Sequence, residues 1–202
     1  VTAEYNYSLA LKDITDNKAK SAYDKLKKAI SLNSDVDRYH RTMSSINLAI
    51  ANSLQDSDEA PNFVQESINE AKAAVALNNK RSENWELLGR TYKLLIPFAE
   101  GADKFAIDAY KEAINLDPIN PGLRISLGEV YMLKKEYQTA IDIFKLAVLA
   151  KDNHPNAHFN LALASKESGD IISARIELQK TLSLLDIDSE DYQKAKLELD
   201  NL

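Results

Sequence analysis

One spaced pattern occurs more than once in this chain, and that recurrence limits its fold more than any single residue does. Trp85-Glu86-Leu87-Leu88-Gly89-Arg90-Thr91-Tyr92 fits W-x2-L-G-x2-Y, and Leu127-Gly128-Glu129-Val130-Tyr131 repeats the L-G-x2-Y half, with Arg124 at the tryptophan position. Each match is followed by the same apolar spacing: Ala106, Ile107, Tyr110 and Ala113 after the first, and Ala140, Ile141, Phe144 and Ala147 after the second. Spacings of three and four are helical, so each match begins a pair of helices rather than a pair of strands. A chain that repeats itself in this way folds as a row of like units, each hiding an apolar side against its neighbour.

The register divides the chain into repeats at 3–36, 37–81, 82–120, 121–154 and 155–188, followed by 189–202 as a capping helix. The first, fourth and fifth have 34 residues, and the second and third are longer, at 45 and 39. Paired helices approach closely only where one of them contributes a small side chain, and the register places such residues at matching steps. The first helices supply Ala10, Ser44, Gly89, Gly128 and Ala162. The second helices supply Ala22, Ser67, Ala106, Ala140 and Ala174, then Ala29, Ala74, Ala113, Ala147 and Thr181. Only Thr181 breaks the Gly, Ala or Ser rule. Period, motif and small positions together resemble the tetratricopeptide repeat family. The expected fold is all-α: a right-handed α-solenoid of five helix–turn–helix units and a C-terminal capping helix, forming a single domain over 1–202.

Local punctuation agrees with this division. Ala60-Pro61, Asn120-Pro121 and His154-Pro155 put proline in the first turn of a helix, where its missing N–H costs nothing. Gly169-Asp170 reads as a left-handed stop and an N-cap, and Ser82 and Ser189 as caps of the helices that follow. Only 5 Gly and 5 Pro in 202 residues is too little turn punctuation for a fold of many short strands.

Several kinds of chemistry are excluded at this stage. With no Cys there are no disulfides and no thiolate metal sites. A net charge of −6 argues against a nucleic-acid partner, which needs a basic face. No apolar run reaches the roughly 18 residues of a membrane span, so no membrane insertion is expected of this segment. Val1 to Ser8 carry no signal-peptide pattern, and the start at Val1 rather than Met reads either as a mature form or as a piece of a larger, bacterial protein, with localisation open. His154 and His158 have metal-ligand spacing without a third ligand, and read as surface histidines. Asp186, Asp188, Glu190 and Asp191 lack the glycine and spacing of a calcium loop and read as a solvated helix start. Lys25, Lys27 and Lys28 read as a solvated outer face, and Trp85, Tyr92, Tyr110, Tyr131 and Phe144 as packing core. No nucleotide, hydrolase or metalloprotease motif is present. The expectation is a non-catalytic protein without cofactor.

The resemblance implies a protein–protein interaction scaffold that holds a peptide or partner protein in a concave groove lined by the first helices. On this chain the groove positions are Tyr7 and Leu11, then Arg38, Arg41 and Ser45, then Glu86, Arg90 and Lys93. They continue with Ile125, Glu129 and Met132, then Phe159, Leu163 and Lys166. Chaperone-binding members of the family hold a terminal carboxylate with Lys and Asn at such positions, and no Lys–Asn pair stands there. An acidic stretch followed by apolar anchors suits the list better, with arginine forks taking carboxylates. A second reading makes the array the structural or assembly tail of a larger, membrane-bound protein. The extra residues fall around Ser53 to Pro61, including Asp56, Asp58 and Glu59, and around Leu94 to Lys104. Leu94, Leu95 and Ile96 are expected to lengthen the third repeat's first helix by a turn, ended by Pro97.

Overall fold

The computed structural model describes residues 2–54 and 57–202, and the described residues contain eleven α-helices and no strand. The helices are α1 (Ala3–Thr15), α2 (Ala19–Leu32), α3 (Asp37–Ser53), α4 (Ala60–Leu77), α5 (Ser82–Leu95), α6 (Ala102–Leu116), α7 (Pro121–Leu133), α8 (Tyr137–Ala150), α9 (Pro155–Glu167), α10 (Ile171–Leu184) and α11 (Glu190–Asp200). They form two compact blocks, 1–98 and 99–202, so that α1–α5 belong to the first and α6–α11 to the second.

Within the N-terminal block α1 packs on α2 and α3 on α4, and α3 also touches α5. Within the C-terminal block the pairs are α7 with α8 and α9 with α10, and α7 touches α9. The small positions explain why these pairs approach so closely. Ala10, Ala22, Ala29, Ser44, Ser67 and Ala74 are fully buried in the first block, and Ala106, Ala113, Ala140, Ala147, Ala162 and Ala174 in the second. Ser44 and Ser67 meet each other: their hydroxyls lie 2.9 Å apart and Ser67 Oγ donates to the Ser44 carbonyl, so both polar groups are satisfied inside the core. Thr181 is tolerated because its hydroxyl donates to the Glu177 carbonyl of its own helix. Around these contacts lie Leu26, Met43 and Ile46 in the first block, and Ile125, Ile141, Phe144 and Leu161 in the second.

Three of the turns inside repeats share one geometry. Asn17, Lys135 and Gly169, each the fifteenth residue of its repeat, all have positive φ, at 57°, 59° and 88°. In each case the following residue's N–H reaches back to a carbonyl of the helix: Lys18 to Asp13, Glu136 to Tyr131 and Asp170 to Ser165. This left-handed stop satisfies carbonyls that the helix end would otherwise leave free.

The turns between repeats are fastened differently. The fourth residue of a repeat's first helix bonds to the carbonyl six residues upstream. His40 Nε2 meets Ser34 O at 2.8 Å, Trp85 Nε1 donates to Asn79 O at 2.9 Å, and His158 Nε2 meets Asp152 O at 2.8 Å. Arg124 donates to Pro118 O in the same way. Four side chains of three kinds therefore do one job. The aromatic positions of the motif are correspondingly mixed: Tyr110 and Phe144 are fully buried, whereas Trp85 and Tyr131 are half-buried.

Several expectations need correction. Ser82 is the first residue of α5 and not its cap; Arg81 stands at the cap position and offers no side-chain acceptor. Ser189 and Asp170 do cap, accepting from the Tyr192 and Ser173 amides. His158 is not on the surface but only 5% exposed, because both ring nitrogens are engaged. Lys25 is not part of a solvated face: it pairs with buried Asp13, which also accepts from Ser21 at 2.5 Å. These bonds hold the Asp13 carboxyl below its ordinary value, Lys25 first and Ser21 next.

The insertions also behave unlike simple loops. In the second repeat the extra residues extend both helices at the same end: α3 has 17 residues and α4 has 18, against 13 and 14 for α7 and α8. Asp56 lies outside the described residues. In the third repeat α5 gains no full turn; it ends at Leu95 with 14 residues, and Ile96 to Gly101 form turns before α6. Among the described residues, no helix is long and apolar enough to cross a membrane.

Candidate functional site

Side-by-side first helices leave a cleft on their shared face, and each block has one. In the N-terminal block the cleft is about 390 Å³, between α1, α3 and α5, and is walled by Ile14, Arg41, Thr42, Ser45, Glu83, Glu86, Leu87 and Arg90. Helical spacing puts them there: Arg41 and Ser45 are one turn apart on α3, as Glu83, Glu86 or Leu87, and Arg90 are on α5. Arg90 Nη2 reaches Ser45 Oγ at 3.4 Å, a long contact across the cleft. Arg41 is half-buried, and its Nη1 has no hydrogen-bond partner.

Of the remaining sequence-predicted positions in this block, Tyr7 and Arg38 are engaged with one another. Tyr7 packs on Tyr39 with ring centroids 4.7 Å apart and its hydroxyl lies 3.2 Å from Thr42 Oγ1. Arg38 lies over both rings and pairs with Glu4. The Tyr39 hydroxyl holds Glu4 below the ordinary carboxylate value, against the opposing effect of burial and with help from Arg38. Leu11 is exposed on α1, and Lys93 is half-buried in the last turn of α5. At the start of α3, Asp37 receives Asn84 Nδ2 at 3.0 Å and Arg81 Nε at 3.0 Å. Burial pushes Asp37 up, but the Asn84 bond and the Arg81 charge outweigh it and leave the group lowered.

The C-terminal block has a cleft of about 400 Å³, lined by Glu129 of α7, by Pro155, Asn156, Phe159, Asn160 and Leu163 around α9, and by Thr181, Leu185, Asp191 and Lys194. It exists because α11 lies where the first helix of a further repeat would lie. Lys194 sits 5.2 Å from the Phe159 ring centroid, and Lys166 pairs with Glu198 of α11 at 2.9 Å. Of the predicted positions, Glu129, Phe159 and Leu163 line this cleft and Lys166 braces α11. Ile125 does not line it: it is 3% exposed and part of the core cluster, and Met132 packs against the same cluster. Counting turns from the motif could not separate these two from the groove face, because a helix between two neighbours buries more than one stripe. Leu185, at the end of the fifth repeat, and Lys194, in the capping helix, were not among the predicted groove positions, and Asp191 was read only as part of a solvated helix start. The acidic start of α11 was their signal.

Residues 98–166 match the family model of the tetratricopeptide repeat. Solved structures of the same fold cover nearly the whole chain. The MamA protein matches at 20% identity and TM-score 0.72, over 98% of this chain and 96% of its own. The thermophilic tetratricopeptide-repeat protein TTC0263 of Thermus thermophilus matches at 20% identity and TM-score 0.71, over 97% and 100%. YrrB, a tetratricopeptide-repeat protein described as having an unusual peptide-binding site, matches at 15% identity and TM-score 0.65, over 95% and 90%. No curated protein matches by sequence. The family match covers about a third of the chain, and the solved structures extend the same all-α repeat fold expected from the register to nearly all of it.

Proposed function

We propose that this chain is a non-catalytic interaction scaffold, whose clefts between neighbouring first helices hold segments of a partner protein. The observation that carries this reading is the contrast between the two clefts. The N-terminal one presents Arg41 and Arg90 with Glu83 and Glu86 over a floor of Leu87. The C-terminal one presents Phe159, Leu163 and Leu185, rimmed by Asn156 and Asn160. The first suits a charged side chain oriented by opposite charges, and the second an apolar anchor with a backbone that needs amide partners. YrrB, with its peptide-binding site, supports binding as the use of such a fold. A protein or peptide is the partner proposed, and at a net charge of −6 a nucleic acid is not.

Capture of proteins from a lysate with the unaltered chain, with Arg41→Glu/Arg90→Glu and with Phe159→Ala tests this. The charge reversal should slow association and alter its salt dependence, since charged rims act mainly on the on-rate. Loss of the aromatic anchor should speed dissociation, at a cost of about 2 kcal/mol. An identical set of proteins held equally by all three would exclude both clefts as the binding surface.

A further inference from the structure

We propose that the joints before the second and fifth repeats are proton-locked: His40 and His158 fasten turn and second helix to the first helix only while each ring carries both of its protons. The two histidines hold the same position in their repeats and make the same two contacts. One ring nitrogen meets a turn carbonyl, Ser34 O or Asp152 O, at 2.8 Å. The other meets a carboxylate of the repeat's second helix, Glu70 Oε2 on α4 or Glu177 Oε2 on α10, at 2.6 Å. A carbonyl and an ionised carboxylate only accept, so both nitrogens must donate, and a neutral imidazole has one N–H to give. Loss of a proton sets lone pair against lone pair at one contact. The ring is then held by the turn or by the second helix, but not by both.

The other repeats show what the locked position requires. Trp85 and Arg124 take the same turn carbonyl with donors that do not titrate in the ordinary range. The histidine joints alone can be released. The rings are 8% and 5% exposed, so water does not readily replace the lost bond. Each histidine also directly precedes a cleft residue, Arg41 or Phe159, so release acts on the helical turn that positions it.

The charges around each ring set the sign. His40 faces Glu70 from α4 and Asp37 from its own helix, and Asp37 is itself held by Arg81 and Asn84. The Glu70 bond raises the His40 value above 6.5, against burial and with help from the Ser34 carbonyl and Asp37. A raised imidazole contributes stability in full below its unfolded value of 6.5, and loses it as pH rises through the higher folded value. His158 faces Glu177 from α10 and His154 from the preceding turn. Burial, and then Lys151, lower His154, so its contribution runs the other way and is lost as pH falls.

The test is thermal unfolding of the full chain across pH, compared with Glu70→Gln/Glu177→Gln. A glutamine amide can donate to an unprotonated ring nitrogen, so the variant needs only one ring proton and His154 is common to both proteins. As pH rises above 6.5 the unaltered chain should lose about 2–4 °C in Tm through the His40 joint beyond the loss in the variant. Equal slopes overturn the proposal. If the variant does not fold, nitrogen–proton spectra of the unaltered chain decide. Loss of the second His40 ring proton should coincide with loss of amide protection in the first turn of α3, and undiminished protection after that proton has left overturns it.

Discussion

At the scale of single residues, packing in this molecule depends on what one position lacks. A Cβ placed on Gly128 would stand 2.7 Å from Cδ1 and Cζ of Phe144, inside any allowed contact. Phe144 is fully buried and has nowhere to go. Gly128→Ala should therefore destabilise by about 1–3 kcal/mol through overpacking. Chemical denaturation measures the loss directly. Combining it with Phe144→Leu should return part of that energy, since residues in contact are not additive. A full additive loss in the double variant would show that another neighbour bears the strain.

At the scale of elements, the fifteenth position of a repeat is where the chain reverses, and its three occupants do so at unequal cost. Gly169 adopts positive φ freely, whereas Lys135 holds φ 59° with a Cβ in the way. Lys135→Gly should stabilise the chain by about 0.5–1 kcal/mol, the relief of strain exceeding the added flexibility of the unfolded chain. A rise in the denaturation midpoint with unchanged slope would be the sign of it. The same comparison shows what could be read from the sequence. Gly169-Asp170 announced its turn because glycine names the conformation; Lys135 performs the same turn with no such mark. The small positions were legible because sterics allows few residue types there. The turn latch was not, because histidine, arginine and tryptophan share only an N–H at the right reach, and no reading by residue class groups them. The clefts were half legible for a related reason. Periodicity places Arg41, Arg90, Phe159 and Leu163 on one face, but how deep Ile125 and Met132 sink depends on neighbours that periodicity does not describe.

At the scale of the whole molecule, the division into blocks falls between Phe98 and Ala99, inside the third repeat of the sequence. Helix α5 belongs with α3 and α4, to which it is tied by Asn84 donating to Ala74 O and Asp37, and by Lys72 over the Tyr92 ring. Helix α6 packs on α7. A fragment 1–98 should accordingly fold cooperatively, whereas 1–81, which ends at the repeat boundary and loses all of these contacts, should melt at lower temperature and over a broader range. Circular dichroism of the two fragments distinguishes them. Equal melting would mean that α5 adds nothing to the block.

Text and structure thus keep different time along this chain. The register beats once per repeat from the start of each first helix, while the grouping into compact blocks shifts by half a beat at the third. Spliced at the borders its motif suggests, a chimera of this array would graft each α5-like helix away from the helices that shelter it; spliced after the first helix of a repeat, it would transplant a closed piece.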